Sequence, residues 1–321
     1  MAGSVPRIDV ALATYNGAAH LGALLQSLAQ QTHGNIEVIL SDDGSTDATL
    51  SVAAMFDPVL NIRYVGDDKH YGLVRNFETA LGGGTAAYLA LCDQDDVWHP
   101  QKLHKLLARM HQLEAEHGPA MPLAVFCDLR IVDAGLSVLS PSFFRSTLKS
   151  PAASRFEHFL LGNHVPGCAL LINRRLLDLA LPFPEVPVHD WWLLQVAGLF
   201  GRIGFVDAAL VDYRQHGGNA VGIGGNNSES QPDPAAFMAA RRLRWGQQAL
   251  AIRANLTALQ ARFGARLPAE QATVIERILR VGGAGNTVFL RCSGERWFDR
   301  VGIGMALGSM AQPSGYRQAQ G

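Results

Sequence analysis

Apolar positions in the first part of the chain switch between two periods. Residues 8–14, 36–41 and 86–92 are short, near-continuous apolar runs, and NIRYVG at 61–66 is a fourth run of mixed character. Between them, Leu21, Leu24, Leu25 and Leu28 recur at helical spacing. The pattern predicts strands at those four runs and helices over 20–31, 47–55, 74–82 and 100–116. Such alternation indicates an α/β fold, with a mostly parallel, Rossmann-like sheet flanked by helices on both faces. After Pro122 the pattern is mixed: strands at 124–132 and 167–173, a short helix from Arg174, a helix from Trp191 that is apolar almost all round, and an extended segment over 205–216. Residues 217–234 are rich in Gly, Asn, Ser and Pro and read as a linker. A long helix follows, with further helical patterns near 268–281 and 295–308. These readings divide the chain into a catalytic-type domain at 1–225 and a helical extension at 226–321.

Composition adds limits. The 321 residues are 48% hydrophobic and 17% charged, with net charge −1, so no bulk field points to nucleic acid. Cys92, Cys127, Cys168 and Cys292 lack the short spacings of zinc or redox motifs. The N-terminal segment has no signal-peptide pattern, and no run of about 18 apolar residues occurs. A cytoplasmic protein is expected, with peripheral contact at the inner membrane face left open.

Three predicted strands end in polar residues: Thr14-Tyr15-Asn16, Asp42-Asp43-Gly44-Ser45 and Asp93-Gln94-Asp95-Asp96. Open parallel sheets bind ligands beyond those strand ends. Carboxylates gathered at one rim repel one another and call for a cation, and hard oxygen donors favour Mg²⁺ or Mn²⁺. If the chain stays extended, Asp93 and Asp95 face the same side and address one ligand together. Asp-Gly after a strand is also ordinary turn chemistry, so Asp42 and Asp43 have a purely structural reading as well. The turn after the first strand is not Gly-rich, and no Walker A sequence is present, which excludes the common dinucleotide and nucleoside-triphosphate sites. Ser41 stands where an aspartyl-phosphatase nucleophile would be needed.

ATYNG (13–17), SDDGSTD (41–47) and LCDQDDVW (91–98), in this order and spacing, resemble the inverting family-2 glycosyltransferases of the glycosyltransferase A fold. HDWWL (189–193) and YRQHGGNAVG (213–222) are similar to the rhamnosyltransferase-like subgroup. The resemblance spans residues 5–225. It implies that Thr14, Tyr15 and Asn16 line the nucleotide and that Asp43 meets the imide edge of uracil or thymine. It further implies that Asp93 lies near the ribose and that Asp95 binds the metal, with Asp96 a supporting neighbour. Asp190 is the candidate general base, although a carboxylate opening a helix also serves as an N-cap. His216 is a candidate to complete the metal site or contact the diphosphate, with a structural or solvent-facing histidine as the alternative. Arg214 would meet phosphate or a surface carboxylate. NHVPGC (163–168) resembles a loop bordering the sugar, with a plain strand-entry turn as the alternative. Trp191 and Trp192 would stack on a sugar or fill the core.

The expected activity is transfer of a sugar, rhamnose from dTDP-rhamnose first, to a glycan or lipid-linked acceptor in surface polysaccharide synthesis. A UDP-hexose or UDP-GlcNAc donor is the alternative within the same chemistry, and an inactive glycan-binding scaffold is the alternative of another class. Two basic-aromatic clusters, Arg241, Arg242, Arg244 and Trp245, then Arg291, Arg296, Trp297 and Arg300, suit an anionic membrane surface, a solvated face or a homodimer contact.

Overall fold

A computed structural model describes residues 5–147, 154–216 and 234–280, together with 303 and 307. The chain divides into two compact units. The first takes residues up to 225 except 160–162 and 185–187, which group with the C-terminal residues in the second.

The first unit opens with β1 (Ile8–Thr14), α1 (Ala18–Ala29), β2 (Ile36–Asp42), α2 (Thr49–Ala54), β3 (Ile62–Val65), α3 (Leu73–Gly83) and β4 (Tyr88–Asp93). It continues with β5 (Val97–Trp98), α4 (Lys102–His117), β6 (Leu123–Val132), β7 (Val138–Ser140), α5 (Phe143–Thr147), β8 (Leu170–Asn173), α6 (Arg174–Ala180), α7 (His189–Phe200) and β9 (Arg202–Arg214). All seven residues of β1 are buried, as expected of a strand covered on both faces. Leu21, Leu24, Leu25 and Leu28 bury the stripe their spacing forecast. Each such leucine contributes about 1.5–3 kcal/mol by leaving water.

The sheet runs β3-β2-β1-β4-β8-β6-β9-β5, with β7 paired to β6 outside that path. β3, β2, β1 and β4 are parallel neighbours. Beyond β4 the direction changes: β8 is antiparallel to both β4 and β6, and β5 is antiparallel to β9. β6 and β9 are parallel. The sheet's long pairings are parallel, as helix-strand alternation had pointed to, and short antiparallel pairings at β8, β5 and β7 make it mixed. Hydrophobic periodicity reports burial and not strand direction, and an antiparallel neighbour needs no crossover helix.

Other boundaries differ as well. α7 begins at His189, two residues before Trp191, and β9 begins at Arg202. β5, β7 and α5 carry two to five residues each, too few to leave a periodic signal.

The second unit contains α8 (Pro234–Phe263) and α9 (Ala269–Arg280). α8 buries Trp245, Ala249, Ile252, Leu256, Leu259 and Phe263, an unbroken seam at alternating steps of four and three. Trp245 thus belongs to an interior, with Arg241 stacked 5.5 Å over its ring. The second basic-aromatic cluster, the 217–233 loop and Cys292 lie outside the described residues. Among the described residues, no helix is long and apolar enough to cross a membrane.

Candidate functional site

The carboxyl ends of β1, β2 and β4 meet at one rim, where hydrogen bonds between loops fix the side chains. Asp42 is a turn organiser: it accepts from the Thr14 hydroxyl at 2.6 Å and from the Ser45 amide and hydroxyl at 2.7 Å each. Asn16, in the left-handed region at φ 47°, donates its backbone N–H to the Ser45 hydroxyl and accepts from the Thr46 amide. Gly44 at φ 77° supplies a conformation that other residues adopt at a cost. Of the three residues expected along the nucleotide, Tyr15 alone offers an exposed ring, which faces the His70 ring at 4.7 Å. Thr14 is buried and turned to Asp42.

Asp43 is buried and already well coordinated. Its Oδ1 accepts from the Tyr71 amide at 2.6 Å, and its Oδ2 accepts from the Gly72 amide at 2.9 Å and lies 2.8 Å from His70 Nδ1. It ties the loop before α3 to the end of β2, so the Tyr15–His70 ring pair is held from below.

The acidic run does not stay extended. The chain turns at Gln94 and Asp95, so the alternation that would join Asp93 to Asp95 does not apply. Asp93 instead gathers with Asp96 and Cys168, one ligand atom from each lying within 4.8 Å of the others. Gln94 clamps the first loop: its amide accepts from the Tyr15 N–H and donates to the Tyr15 carbonyl, both at 2.9 Å. Asp96 is fully buried; its Oδ1 accepts the Arg214 amide at 3.1 Å, while Oδ2 has no partner among the described residues. Asp95 turns the other way, to His216 Nε2 at 2.9 Å. The His20 ring packs on His216, centroids 4.6 Å apart.

Arg214 is a brace. Its Nε donates to the Asp95 carbonyl at 2.7 Å and its Nη1 to the Ala134 carbonyl at 2.5 Å. The guanidinium therefore spans two loops, a different use from the phosphate or surface-carboxylate contact expected of it.

Crowding shows in the ionisation. Burial, then the charges of Asp96, Asp95 and Asp190, hold the Asp93 carboxyl well above the usual range. Burial and Asp95 push Asp96 up to about 7. Beneath them lies Lys102, fully buried, donating to the Cys168 carbonyl at 2.6 Å with its ammonium 3.0 Å over the Trp98 ring. Burial lowers its pKa, while its charge pulls Asp93 and Asp96 back down. Burial raises Cys168 well above its ordinary value, so it stays a thiol.

Asp190 completes the rim. The N-cap position of α7 is Val188, which forms no side-chain cap, so Asp190 stands within the first turn and is not the N-cap. Its Oδ1 accepts from the Trp191 amide at 2.6 Å, and the Gly167 amide and Asn163 side chain also bond the carboxylate. Burial outweighs these bonds and raises Asp190 to about 6. Trp191 and Trp192 are buried, with their indole N–H groups on the Phe159 and Ala180 carbonyls. Both are core residues.

A divalent cation fits this chemistry. The donors that reach the rim surface are the Asp95 carboxylate and the His216 imidazole, while Asp96 carries an unpaired oxygen just beneath. The thiol of Cys168 is unsuited to a hard ion, so Asp95 and His216 are the residues that would hold it. Sequence reasoning missed Gln94 as a clamp and Lys102 as a counter-charge. Gln94 lay in plain view inside the acidic motif; Lys102 looked like one more polar position on a helix.

Residues 9–121 match the family model for glycosyl transferase family 2. The dTDP-rhamnosyl transferase RfbG of Shigella flexneri is 25% identical over 231 residues, covering 66% of this chain and 73% of that protein. Among solved structures, the fold resembles S. aureus TarS 1-349 in complex with UDP-GlcNAc, with TM-score 0.52 and 18% identity over 97% of this chain and 93% of that one. It also resembles the mannosyltransferase PcManGT from Pyrobaculum calidifontis in complex with GDP-Man and Mn²⁺, with TM-score 0.57 and 19% identity over 95% of this chain and 74% of that one. These two likenesses establish a glycosyltransferase A fold.

Proposed function

We propose that this chain, a glycosyl transferase family 2 member through residues 9–121, is an inverting, metal-dependent transferase that moves a sugar from a nucleoside diphosphate to a hydroxyl. The observation that carries this reading is the convergence of Asp93, Asp95, Asp96 and Asp190 on one rim, where the last three each raise the pKa of Asp93. Excess negative charge at a strand-end crevice suits a cation-assisted diphosphate site.

The residues divide the work. Tyr15 and His70 offer a stacking platform for the base, held by Asp43. Asp95 and His216 would hold Mg²⁺ or Mn²⁺, which as a Lewis acid would stabilise charge on the departing diphosphate. Asp190, at about 6, is ionised at neutral pH yet more basic than an exposed carboxylate. It accepts the proton of the acceptor hydroxyl as that oxygen bonds the anomeric carbon. A single displacement inverts the anomeric centre and needs no covalent nucleophile.

The RfbG relative favours dTDP-rhamnose as the donor, and UDP-hexose or UDP-GlcNAc is the second choice. The acceptor on this reading is a glycan or lipid-linked sugar of a surface polysaccharide. An inactive scaffold is disfavoured by the braced acidic loop, since binding a glycan alone gives no use for unpaired buried carboxylate oxygen. Calorimetry with dTDP, UDP and GDP, with and without Mn²⁺, followed by donor hydrolysis over a panel of sugar nucleotides, tests the reading. Metal-dependent binding of dTDP or UDP is the expected result; no binding to any of the three sinks it.

A further inference from the structure

Gln94 stands between the two halves of the proposed site. On one side is Tyr15, whose exposed ring faces His70. On the other is Asp95, the next residue in the chain, which pairs with His216. The Gln94 side chain joins the first to the second with two bonds of 2.9 Å: Oε1 accepts from the Tyr15 N–H, and Nε2 donates to the Tyr15 carbonyl. A side-chain amide that takes both backbone groups of one residue holds that residue much as a strand neighbour does.

The room for this clamp is left by Gly17. Its φ of −103° is negative, so no left-handed conformation calls for glycine there. Space does, since a Cβ on Gly17 would lie 2.1 Å from Gln94 Oε1 and 2.4 Å from Gln94 Cδ. Each half of the site also has fastenings of its own. Asn16 and Gly17 donate their N–H groups to the Ser45 and Thr49 hydroxyls at 2.8 Å each. Asp95 is held through its carbonyl by Arg214 and through its carboxylate by His216. Both halves thus take their shape from other bonds, and what Gln94 adds is the span between them.

We propose that Gln94 is a positioning residue that sets the distance between the base platform at Tyr15 and the cation-holding pair Asp95 and His216, and so decides how well one nucleoside diphosphate engages both at once. The inference rests on the transferase reading above. A nucleoside diphosphate carries its base and its diphosphate at opposite ends, so once one end is bound the other binds within the same complex. The gain from joining two contacts depends on whether their spacing matches the ligand. It is lost when the span drifts, even with each contact intact. Gln94 touches no ligand; it acts through Tyr15 and Asp95.

Two substitutions open the clamp from opposite sides. Gln94→Ala removes the side chain, and Gly17→Ala places a methyl against its flexible end and swings it away. Calorimetry on the full chain reads three affinities: dTDP or UDP without metal, Mn²⁺ without nucleotide, and dTDP or UDP at saturating Mn²⁺. In both variants the first two should stay within about twofold of wild type, while the third weakens by about 10- to 100-fold, the effect of two hydrogen bonds lost from the joined complex. A residue that only supports the fold would weaken the separate affinities by as much. Unchanged affinity at saturating Mn²⁺ in either folded variant overturns the proposal, as does an equal fall in either separate affinity. A wild type in which either separate affinity is undetectable also overturns it, because the two half-sites must each stand alone. If one variant fails to fold, the other decides, and failure of both overturns the proposal. A wild type that binds no nucleotide with or without Mn²⁺ sinks the transferase reading and this inference together. Metal-dependent binding that wild type and both variants share sinks this inference alone.

Discussion

Replacing Asp190 by asparagine should move activity and stability in opposite directions. The carboxyl is buried, and its pKa rises from 3.8 to about 6 in the folded chain. Between those values the folded protein holds a proton that the unfolded chain has lost. Stability from this group therefore falls as pH rises through that window and stays low above it. Two pKa units at 1.36 kcal/mol each set the cost of the ionised form at about 3 kcal/mol. Asparagine cannot ionise, so it removes that cost. It loses something in return, because its amide nitrogen cannot accept from the Trp191 or Gly167 N–H, a loss of about 1–2 kcal/mol. The net expectation at pH 7.5 is a variant about 1–2 kcal/mol more stable, melting a few degrees higher. Its advantage should shrink as pH falls below about 6, vanish near pH 5 and reverse by pH 4. Turnover should fall by about 10²–10⁴, the usual worth of a positioned general base. Wild-type turnover should climb about tenfold per pH unit below about 6 and then level, and the variant should lack that limb. The assay pairs transfer rates with thermal melts from pH 4 to 8. Turnover within about threefold of wild type refutes the role as base. A variant less stable than wild type at pH 7.5 refutes the claim that burying this charge is costly.

Asp95→Ala and His216→Ala should each weaken Mn²⁺-dependent dTDP or UDP binding by about 10- to 100-fold while leaving metal-free binding unchanged. Calorimetry reads this directly, and equal metal dependence in wild type and both variants excludes them as the metal residues. Gly201→Ala tests the fold without touching the site. Its Cβ would meet the Pro122 carbonyl oxygen at 1.8 Å, where β6 and β9 begin, so a loss of about 2–4 kcal/mol in urea unfolding is expected. An unchanged urea midpoint would show that these two strands can part at no cost.

Much of the first half of the sheet was legible because β1, β2 and β4 are short apolar runs separated by helical stripes. The antiparallel insertion of β8 was not, since Leu170–Asn173 is equally apolar whichever way it runs. The start of α7 was misplaced for a chemical reason. Val188 carries no capping side chain, while Asp190 looks like a cap two residues later. At the site, the positions of the carboxylates along the chain were plain, but their partition was not. Whether Asp95 or Asp96 turns inward depends on the turn at Gln94 and on the late return of Arg214. Lys102 was invisible for the same cause: nothing local to it records that it ends up buried.

That late return has a consequence for how the protein is made. β9 lies between β6 and β5 and gives β5 its sheet pairing. Asp96 finds the Arg214 amide 118 residues along the chain, and Asp95 finds His216 at a separation of 121. During synthesis the acidic loop emerges early, and its braces follow only after β6, β8 and α7 have been translated. Contacts at such separation form late in folding. A nascent chain halted before Arg202 holds β5 without its neighbour and the carboxylates without their fastening. On the proposed reading, competence to bind arrives with the last strand of the first unit, so that ligand affinity would report whether that unit has finished folding.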